Sequence, residues 1–519
     1  GACAVCRQPI PAGAECLWDR NRKCIAHPAC VEQARRATPA PEPRTRLPLW
    51  AHQRAAYEHL YPLPGGLLAM DMGTGKTATA VALLTAWGAR RVLVLCPSAV
   101  VPVWPSQMAV HAPDEWLVCA PEGTIDARTA ALYGAVGAGA PRLLFATNYD
   151  VLGSGLDEGP EDEALGARTR RLAMRRLCTA LLEQDWDALV LDESHRLKAP
   201  GGSQSMFVAR LAKPIPHVLA LTGTPMPKGP EDMYAQMRAI DPAIFGTRFA
   251  DFRARYCVMG GYENRQIVAY RNLDEFEERL AAVSYRCRAD DVLDLPPMVD
   301  TAVPVPLDGE ARPYRELEAT MVADLGEGAI VTTPNRLSAL LRLQQITGGY
   351  IQPDGPDAPL RRVGTAKRDA LAELLCDVDA AEPVVVFCRF RADLANVHEV
   401  AKRLKRPSCE LSGSRNEIGA VWAPEPGAVA AVQIASGGMG IDLTAARYGV
   451  YYSLGFSYGE YMQSRARLRR PGQTRTVFFY QLLATAGGGE TVDHDVMAAI
   501  GRKEETVEGV LERMRGRQR

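Results

Sequence analysis

From Leu49 onward, apolar runs of strand length alternate with longer amphipathic stretches. That alternation predicts parallel sheets wrapped in helices, an α/β fold class. A first series of strands is expected at Val92–Leu95, Arg142–Ala146, Ala188–Leu191 and His217–Leu221, and a second at Val384–Phe387, Ala430–Ile434, Gly449–Tyr452 and Val477–Tyr480. Between the two series, residues 230–380 read as mostly helical, with a hinge at Asp294-Leu295-Pro296-Pro297. Asp157–Glu163 reads as a solvated acidic loop feeding a basic helix, Arg168–Arg176. Neither a low-complexity block nor a short-period repeat interrupts the pattern.

The chain has 519 residues, too many for one hydrophobic core, so more than one domain is expected. A formal net charge of −1 gives no global attraction for a polyanion, which a local groove would have to hold instead. No apolar stretch approaches the roughly 20 residues needed to cross a bilayer, and no signal peptide is read at the start. Five of the 13 cysteines fall within the first thirty residues, and the rest are scattered without pairing spacing. The expectation is a soluble protein of a reducing cytoplasm, with no membrane contact.

Two runs carry chemistry. Met70-Asp71-Met72-Gly73-Thr74-Gly75-Lys76-Thr77 follows the apolar Gly66–Ala69 and opens into Ala78–Leu84, a strand, glycine turn and helix. In that layout Met72, Gly73, Thr74 and Gly75 offer backbone N–H groups to phosphates at a helix N-terminus. Lys76 reaches the β- and γ-phosphates, and Thr77 ligates Mg²⁺. The strict phosphate-loop pattern fails at its first glycine, where Met70 stands. Asp192-Glu193-Ser194-His195 follows the buried strand Asp187–Leu191, delivering Asp192 to the magnesium and Glu193 to the attacking water. Read separately, the two runs reduce to a glycine turn and an acidic loop; together they describe an ATPase.

Further runs resemble the Swi/Snf branch of the superfamily-two helicases, from about residue 49 to 500. Leu49–Gln53 is similar to the adenine-reading segment, with Gln53 as base reader. Val92–Pro97, continuing to Trp104, and Phe145–Tyr149 resemble two DNA-strand-contacting motifs. Leu221–Pro225 resembles the motif coupling hydrolysis to lobe movement, and Arg286–Pro297 the crossing between lobes. In the second half, Val384–Phe390 resembles an opening strand, Ser436–Thr444 a loop touching DNA and nucleotide, and Gln463–Gln473 an arginine-finger helix. The resemblance implies two RecA-like lobes facing each other with ATP at the cleft. It makes Gly440 and Asp442 nucleotide contacts, sets His195 between nucleotide and Thr222–Pro225, and gives Arg467 and Arg470, three apart on one helix face, the γ-phosphoryl charge. Three departures stand out: His52 where an aromatic is usual, Ser194 for Ala, and a short stretch after Leu411-Ser412-Gly413. The expected domains are a zinc-binding module at 1–34, a linker at 35–48, a first lobe at 49–290, and a second at 291–519 that includes a helical linking segment at about 300–380.

The N-terminal module rests on Cys3-x-x-Cys6 and His27-x-x-Cys30, whose spacing suits tetrahedral Zn²⁺. About thirty residues bury too little apolar surface to fold unaided, and structural zinc contributes on the order of 10–16 kcal/mol in comparable peptides. Cys16 and Cys24 compete for a place in the quartet, and the module suits nucleic acid or protein equally.

The expected cofactors are therefore ATP, Mg²⁺ and Zn²⁺, and the expected partner is DNA, duplex or forked. The expected function is a monomeric, ATP-dependent double-stranded DNA translocase with little sequence readout, acting at residues near Ser98, Thr147, Arg389 and Gly437. It would serve replication, recombination or repair in a bacterial or phage-infected cell, by fork remodelling, annealing or protein displacement. The alternatives are a strand-separating DNA or RNA helicase and a zinc-dependent binding protein with a vestigial ATPase.

Overall fold

The computed structural model describes residues 8–9, 17–19, 24–26, 39–152, 165–197, 199–260, 266–324, 330–333, 336–354, 359–418, 422, 425–434 and 441–504. The chain forms two compact units, divided between Leu293 and Asp294.

Unit 1 is built on seven strands: β1 (Gly65–Met70), β2 (Arg91–Cys96), β3 (Leu117–Cys119), β4 (Leu143–Asn148), β5 (Ala188–Asp192), β6 (His217–Thr222) and β7 (Ser284–Cys287). Their spatial order is β7-β1-β6-β5-β2-β4-β3, and every neighbouring pair is parallel. Residues such as Leu93, Val94, Leu144, Leu189 and Leu219 are buried, as expected of a sheet covered on both faces. Two helices frame the first turn. Helix α1 (Ala51–Leu60) buries His52, Gln53, Ala56, Tyr57 and Leu60, one stripe at helical spacing, and α2 (Lys76–Ala86) leaves directly from the loop after β1.

Unit 2 repeats the plan with β8 (Met298–Pro306), β9 (Val384–Cys388), β10 (Ser408–Leu411), β11 (Val429–Gln433), β12 (Tyr448–Tyr451) and β13 (Val477–Ala486), in the order β8-β13-β12-β9-β11-β10. These strands too are parallel to their neighbours, and a short antiparallel strand, Gly489–Glu490, pairs with β13. The α/β class holds for both units, as two parallel sheets with flanking helices.

The mostly helical reading of 230–380 needs correction. Helices Met233–Ile240, Phe249–Tyr256, Leu273–Ala281, Ala311–Thr320, Arg336–Thr347 and Ala366–Asp377 are present, but so are β7, β8 and three small hairpins. Strand β8 escaped because Pro304 and Pro306 break its pattern. Leu307 donates its N–H to Thr485 O of β13, so the even-numbered residues turn toward the open side, where a missing N–H costs no ladder bond. The basic run lies in a helix, Leu165–Leu182, while the acidic tract before it lies outside the described residues. No helix among the described residues is long and apolar enough to cross a membrane.

One packing contact in unit 1 makes stability depend on pH. His217 stacks on Trp87, ring centroids 4.5 Å apart and planes within 7°. Burial depresses its basicity, and the Pro64 carbonyl and Asp187 offset this only in part. Its folded pKa therefore lies below the unfolded value of about 6.5, so its contribution is present above that pH and lost as pH falls, by at most about 1.4 kcal/mol per pH unit. Urea midpoints should fall from neutral to mildly acid pH, and His217→Phe, which keeps a ring in place, should flatten part of that slope. An unchanged slope in the variant would assign the dependence elsewhere.

Candidate active site

Strands β1, β6 and β5 are neighbours, so Met70, Thr222 and Asp192 end side by side at the carboxyl edge of the unit 1 sheet. In parallel α/β sheets, ligands bind at that edge. The loop after β1 turns through Gly73 (φ 82) and Gly75 (φ 84), left-handed conformations that favour glycine. Gly75 caps α2, aiming that helix's first N–H groups into the loop. A Cβ on Gly75 would lie 2.1 Å from Gln53 Nε2 and would displace that carboxamide.

Lys76 folds back over the loop, its ammonium donating to Met70 O (3.0 Å) and Asp71 O (3.1 Å). Thr74 is buried, and its hydroxyl donates to Asp71 O at 2.7 Å. Gln53 and His52 both meet Thr74 O, at 3.1 and 2.8 Å, while Gln53 Oε1 accepts from Trp50 N at 3.0 Å. The adenine-reading residue of the sequence analysis thus ties the phosphate loop, through its Nε2, to the start of α1, through its Oε1.

Asp192 is buried at the end of β5, where its carboxylate accepts from Trp104 Nε1 (3.2 Å) and Glu193 N (3.0 Å). Burial, then the neighbouring Glu193 charge, push its pKa up to about 7 despite Lys76 nearby. A carboxyl so driven toward protonation is one that a divalent cation at the same oxygens would hold ionised, which fits the magnesium role. Glu193 behaves oppositely. Burial would raise it, but His195, Lys76 and Thr222 outweigh that and hold it below the usual carboxylate range.

The backbone of Glu193 is left-handed (φ 51, ψ 52), a conformation non-glycine residues adopt where surroundings compel it. Its carboxylate lies 3.3 Å from His195 Nδ1 and accepts from Thr222 Oγ1 at 3.4 Å. His195 Nδ1 is also 2.9 Å from Thr222 Oγ1, which accepts from Thr224 N at 3.1 Å. A continuous polar chain therefore joins the acidic run through His195 to Thr222–Pro225. Gly223 stands against the phosphate loop, where a Cβ would come to 3.4 Å from both Met70 O and Met72 N.

A family profile described as the SNF2-related domain matches residues 13–347, more than half of the chain. The chain belongs to the SNF2-related family. Human "DNA annealing helicase and endonuclease ZRANB3" is 25% identical over 349 residues, which cover 65% of this chain and 31% of that protein. An uncharacterized ATP-dependent helicase of Mycoplasma genitalium is 23% identical over 468 residues, covering 86% of this chain and 40% of its own. The chain thus spans less than half the length of these relatives. The Sulfolobus solfataricus SWI2/SNF2 ATPase core in complex with dsDNA is 20% identical, covers 91% of this chain and 95% of its own, and has a TM-score of 0.40. The family assignment rests on the sequence match.

Several SNF2 motif residues sit differently from the sequence expectation. Thr147 is fully buried in β4 and cannot meet a DNA backbone with its own side chain, whereas Ser98 is exposed. Trp104, at the end of a run read as strand-contacting, is buried and serves Asp192. Arg389 hydrogen-bonds Gln344. Helix Tyr458–Leu468 ends before Arg470, because a residue preceding proline, here Pro471, is steered away from helical conformation, so Arg467 and Arg470 do not share one helix face. Arg467 is buried, and its carbonyl accepts from Leu443 N at 3.3 Å. Asp442 is exposed and accepts from Thr444 N and Oγ1 at 2.9 and 2.7 Å. Gly437, Gly440, Cys3, Cys6, His27 and Cys30 lie outside the described residues. Among the described residues, no group of three or more His, Cys, Asp or Glu could hold a metal.

Two contributors were missed. Tyr149 donates its hydroxyl to Asp192 O at 3.0 Å. Ser194, noted only as a departure from Ala, donates to Gln236 Oε1 at 2.7 Å, and Gln236 Nε2 donates to Pro225 O at 2.8 Å. That gives a second bridge between the acidic run and the coupling motif. The available signal was Gln236 itself, a polar residue among Met233, Tyr234, Ala235 and Met237.

Proposed function

We propose that the chain is an ATP-dependent translocase on double-stranded DNA that remodels forks, annealing strands or displacing bound proteins, in replication, recombination or repair. The observation carrying this reading is the convergence of Lys76, Asp192 and the Glu193–His195–Thr222 network on three adjacent strand ends. Membership of the SNF2-related family supports it, as do relatives bearing the names of an annealing helicase and an ATP-dependent helicase.

In this reading Met72–Gly75 and the start of α2 cradle the phosphates, with Lys76 released from its carbonyls onto the β- and γ-oxygens. Thr77 and Asp192 would hold Mg²⁺, which would supply positive charge to the phosphates. Glu193, kept ionised, takes the proton of the attacking water as its oxygen bonds phosphorus and the bond to the β-phosphate breaks. His195 and Thr222 orient Glu193 and carry the change in its charge to Thr224. Arg467 and Arg470 supply positive charge to the transferring group.

Zinc belongs to the same proposal. Leu17–Asp19 and Cys24–Ala26 form an antiparallel hairpin lying in sequence between the Cys3/Cys6 and His27/Cys30 pairs, a placement suited to two ligand pairs closing on one ion.

The test is ATP hydrolysis at fixed salt with no nucleic acid, duplex, forked DNA, single strand or RNA, on protein assayed for bound zinc. Stimulation by duplex or fork, without strand separation, and one zinc per chain are expected. Stimulation by single strands or RNA alone would replace the translocase with a helicase, and no stimulation would favour a binding protein.

A further inference from the structure

The chain joining the two units is tied down on both sides. In unit 1, Asp71, the first residue past β1, is gripped by the segment that leaves that unit. Arg286, almost wholly buried, donates from Nη1 to Asp71 Oδ1 at 2.6 Å and to Ala69 O at 3.2 Å. Ala289 N donates to Asp71 Oδ2 at 3.0 Å, and Asp71 N donates to Cys287 O at 3.0 Å. The phosphate loop and the exit segment therefore move together.

In unit 2 the entry segment is bound to the arginine-bearing helix. Arg465 holds Asp300 of β8 with both Nη atoms, each at 2.6 Å, while its guanidinium lies over Phe479 and Tyr461, 4.7 and 5.0 Å from the ring centroids. Gln481 Nε2 adds a bond to Asp300 Oδ1 at 2.9 Å. Arg469 Nε donates to Pro296 O at 2.7 Å. A bidentate guanidinium–carboxylate pair fixes orientation as well as distance, so the chain at Pro296–Asp300 and the element bearing Arg467 and Arg470 form one body.

Little chain is left between the ties. Ala289 is the last residue tied to Asp71, and Val292 packs on the unit 1 core. Leu293, Asp294 and Leu295 then precede Pro296, and the four steps from Val292 to Pro296 span at most about 14 Å when extended. A displacement of Asp71 as the loop gains or loses a γ-phosphoryl group has little slack in which to be lost.

We propose that Asp71–Arg286 and Asp300–Arg465 are positioning pairs at the two ends of a short transmission, which makes the arginines follow the phosphate loop and so couples DNA engagement to hydrolysis. This rests on the translocase reading above. The pairs act through the loop and through the arginines.

The experiment uses the full chain and an insertion of about six Gly/Ser residues between Leu293 and Asp294, adding slack at an exposed point without removing any contact. Nucleotide affinity, read with a fluorescent ATP analogue, and unstimulated turnover should stay within about threefold of the parent, while duplex-stimulated turnover should fall about tenfold or more. Asp300→Ala, which keeps chain length, should lower duplex stimulation likewise, and Asp300→Glu should restore part of it. Stimulation retained within about twofold in both the insertion and Asp300→Ala would overturn the proposal. So would equal losses in stimulated and unstimulated turnover, the mark of a merely structural role. A parent chain that duplex does not stimulate would instead refute the translocase reading, so the two failures are distinguishable.

Discussion

Arg470→Ala is expected to lower ATP turnover by about 10³–10⁵-fold while nucleotide affinity stays within about threefold. The loss should fall on kcat, because cationic charge on the γ-phosphoryl matters most as that group leaves the β-phosphate. Arg470 suits the test better than Arg467. It is only partly buried, and its Nε finds no hydrogen-bond acceptor among the described residues. The helix before it stays anchored by Arg465 on Asp300 and Arg469 on Pro296. Arg470→Lys should rescue little, since an ammonium lacks the planar fork that meets two phosphoryl oxygens. Turnover within about tenfold of the parent at saturating ATP and DNA would remove Arg470 from the chemistry.

Glu193→Gln should reduce turnover by about 10²–10⁴-fold, the range expected for loss of a positioned general base. Glutamine keeps the size and the acceptor that faces Thr222 and His195, so the fold and nucleotide binding should persist. Removing a negative charge beside Asp192 also removes one of the two causes that push the Asp192 carboxyl upward, so cation affinity should hold or improve. The combination, a protein that binds ATP and Mg²⁺ but releases phosphate slowly, is read by single-turnover phosphate release alongside equilibrium nucleotide binding. Undiminished release would mean that another group accepts the proton.

The parts of the site legible in sequence are those written contiguously. Met70–Thr77 and Asp192–His195 each declare a strand, a turn and a charged group within a few residues, and the eight strands expected from apolar runs are all present, seven within two residues of the expected bounds and β13 running six residues further, to Ala486. What escaped depends on distant partners. Trp104 and Asp192 are 88 residues apart, Ser194 and Gln236 are 42 apart, and Arg286 and Asp71 are 215 apart. No local pattern couples such positions. The missed strands β3, β7, β8 and β10 failed for a related reason. Ser284–Cys287 carries no apolar run and is held by pairing with β1, and Leu117–Cys119 is three residues long. Thr147 shows the converse, since a motif run marks its neighbourhood for a DNA role while its own side chain is buried by its strand face.

The two prolines of β8 carry a last consequence. This strand closes one side of the unit 2 sheet, and no strand among the described residues pairs beyond it. A foreign strand laid along that side would find carbonyls at Pro304 and Pro306 but no N–H to offer in return, because imide nitrogens carry none. Alternate positions are disarmed in this way over the half of the strand nearest its end. The border resists templated growth, so a second copy gains little by adding to it. Crowded at high local concentration, neighbouring molecules can lie side by side without their sheets fusing.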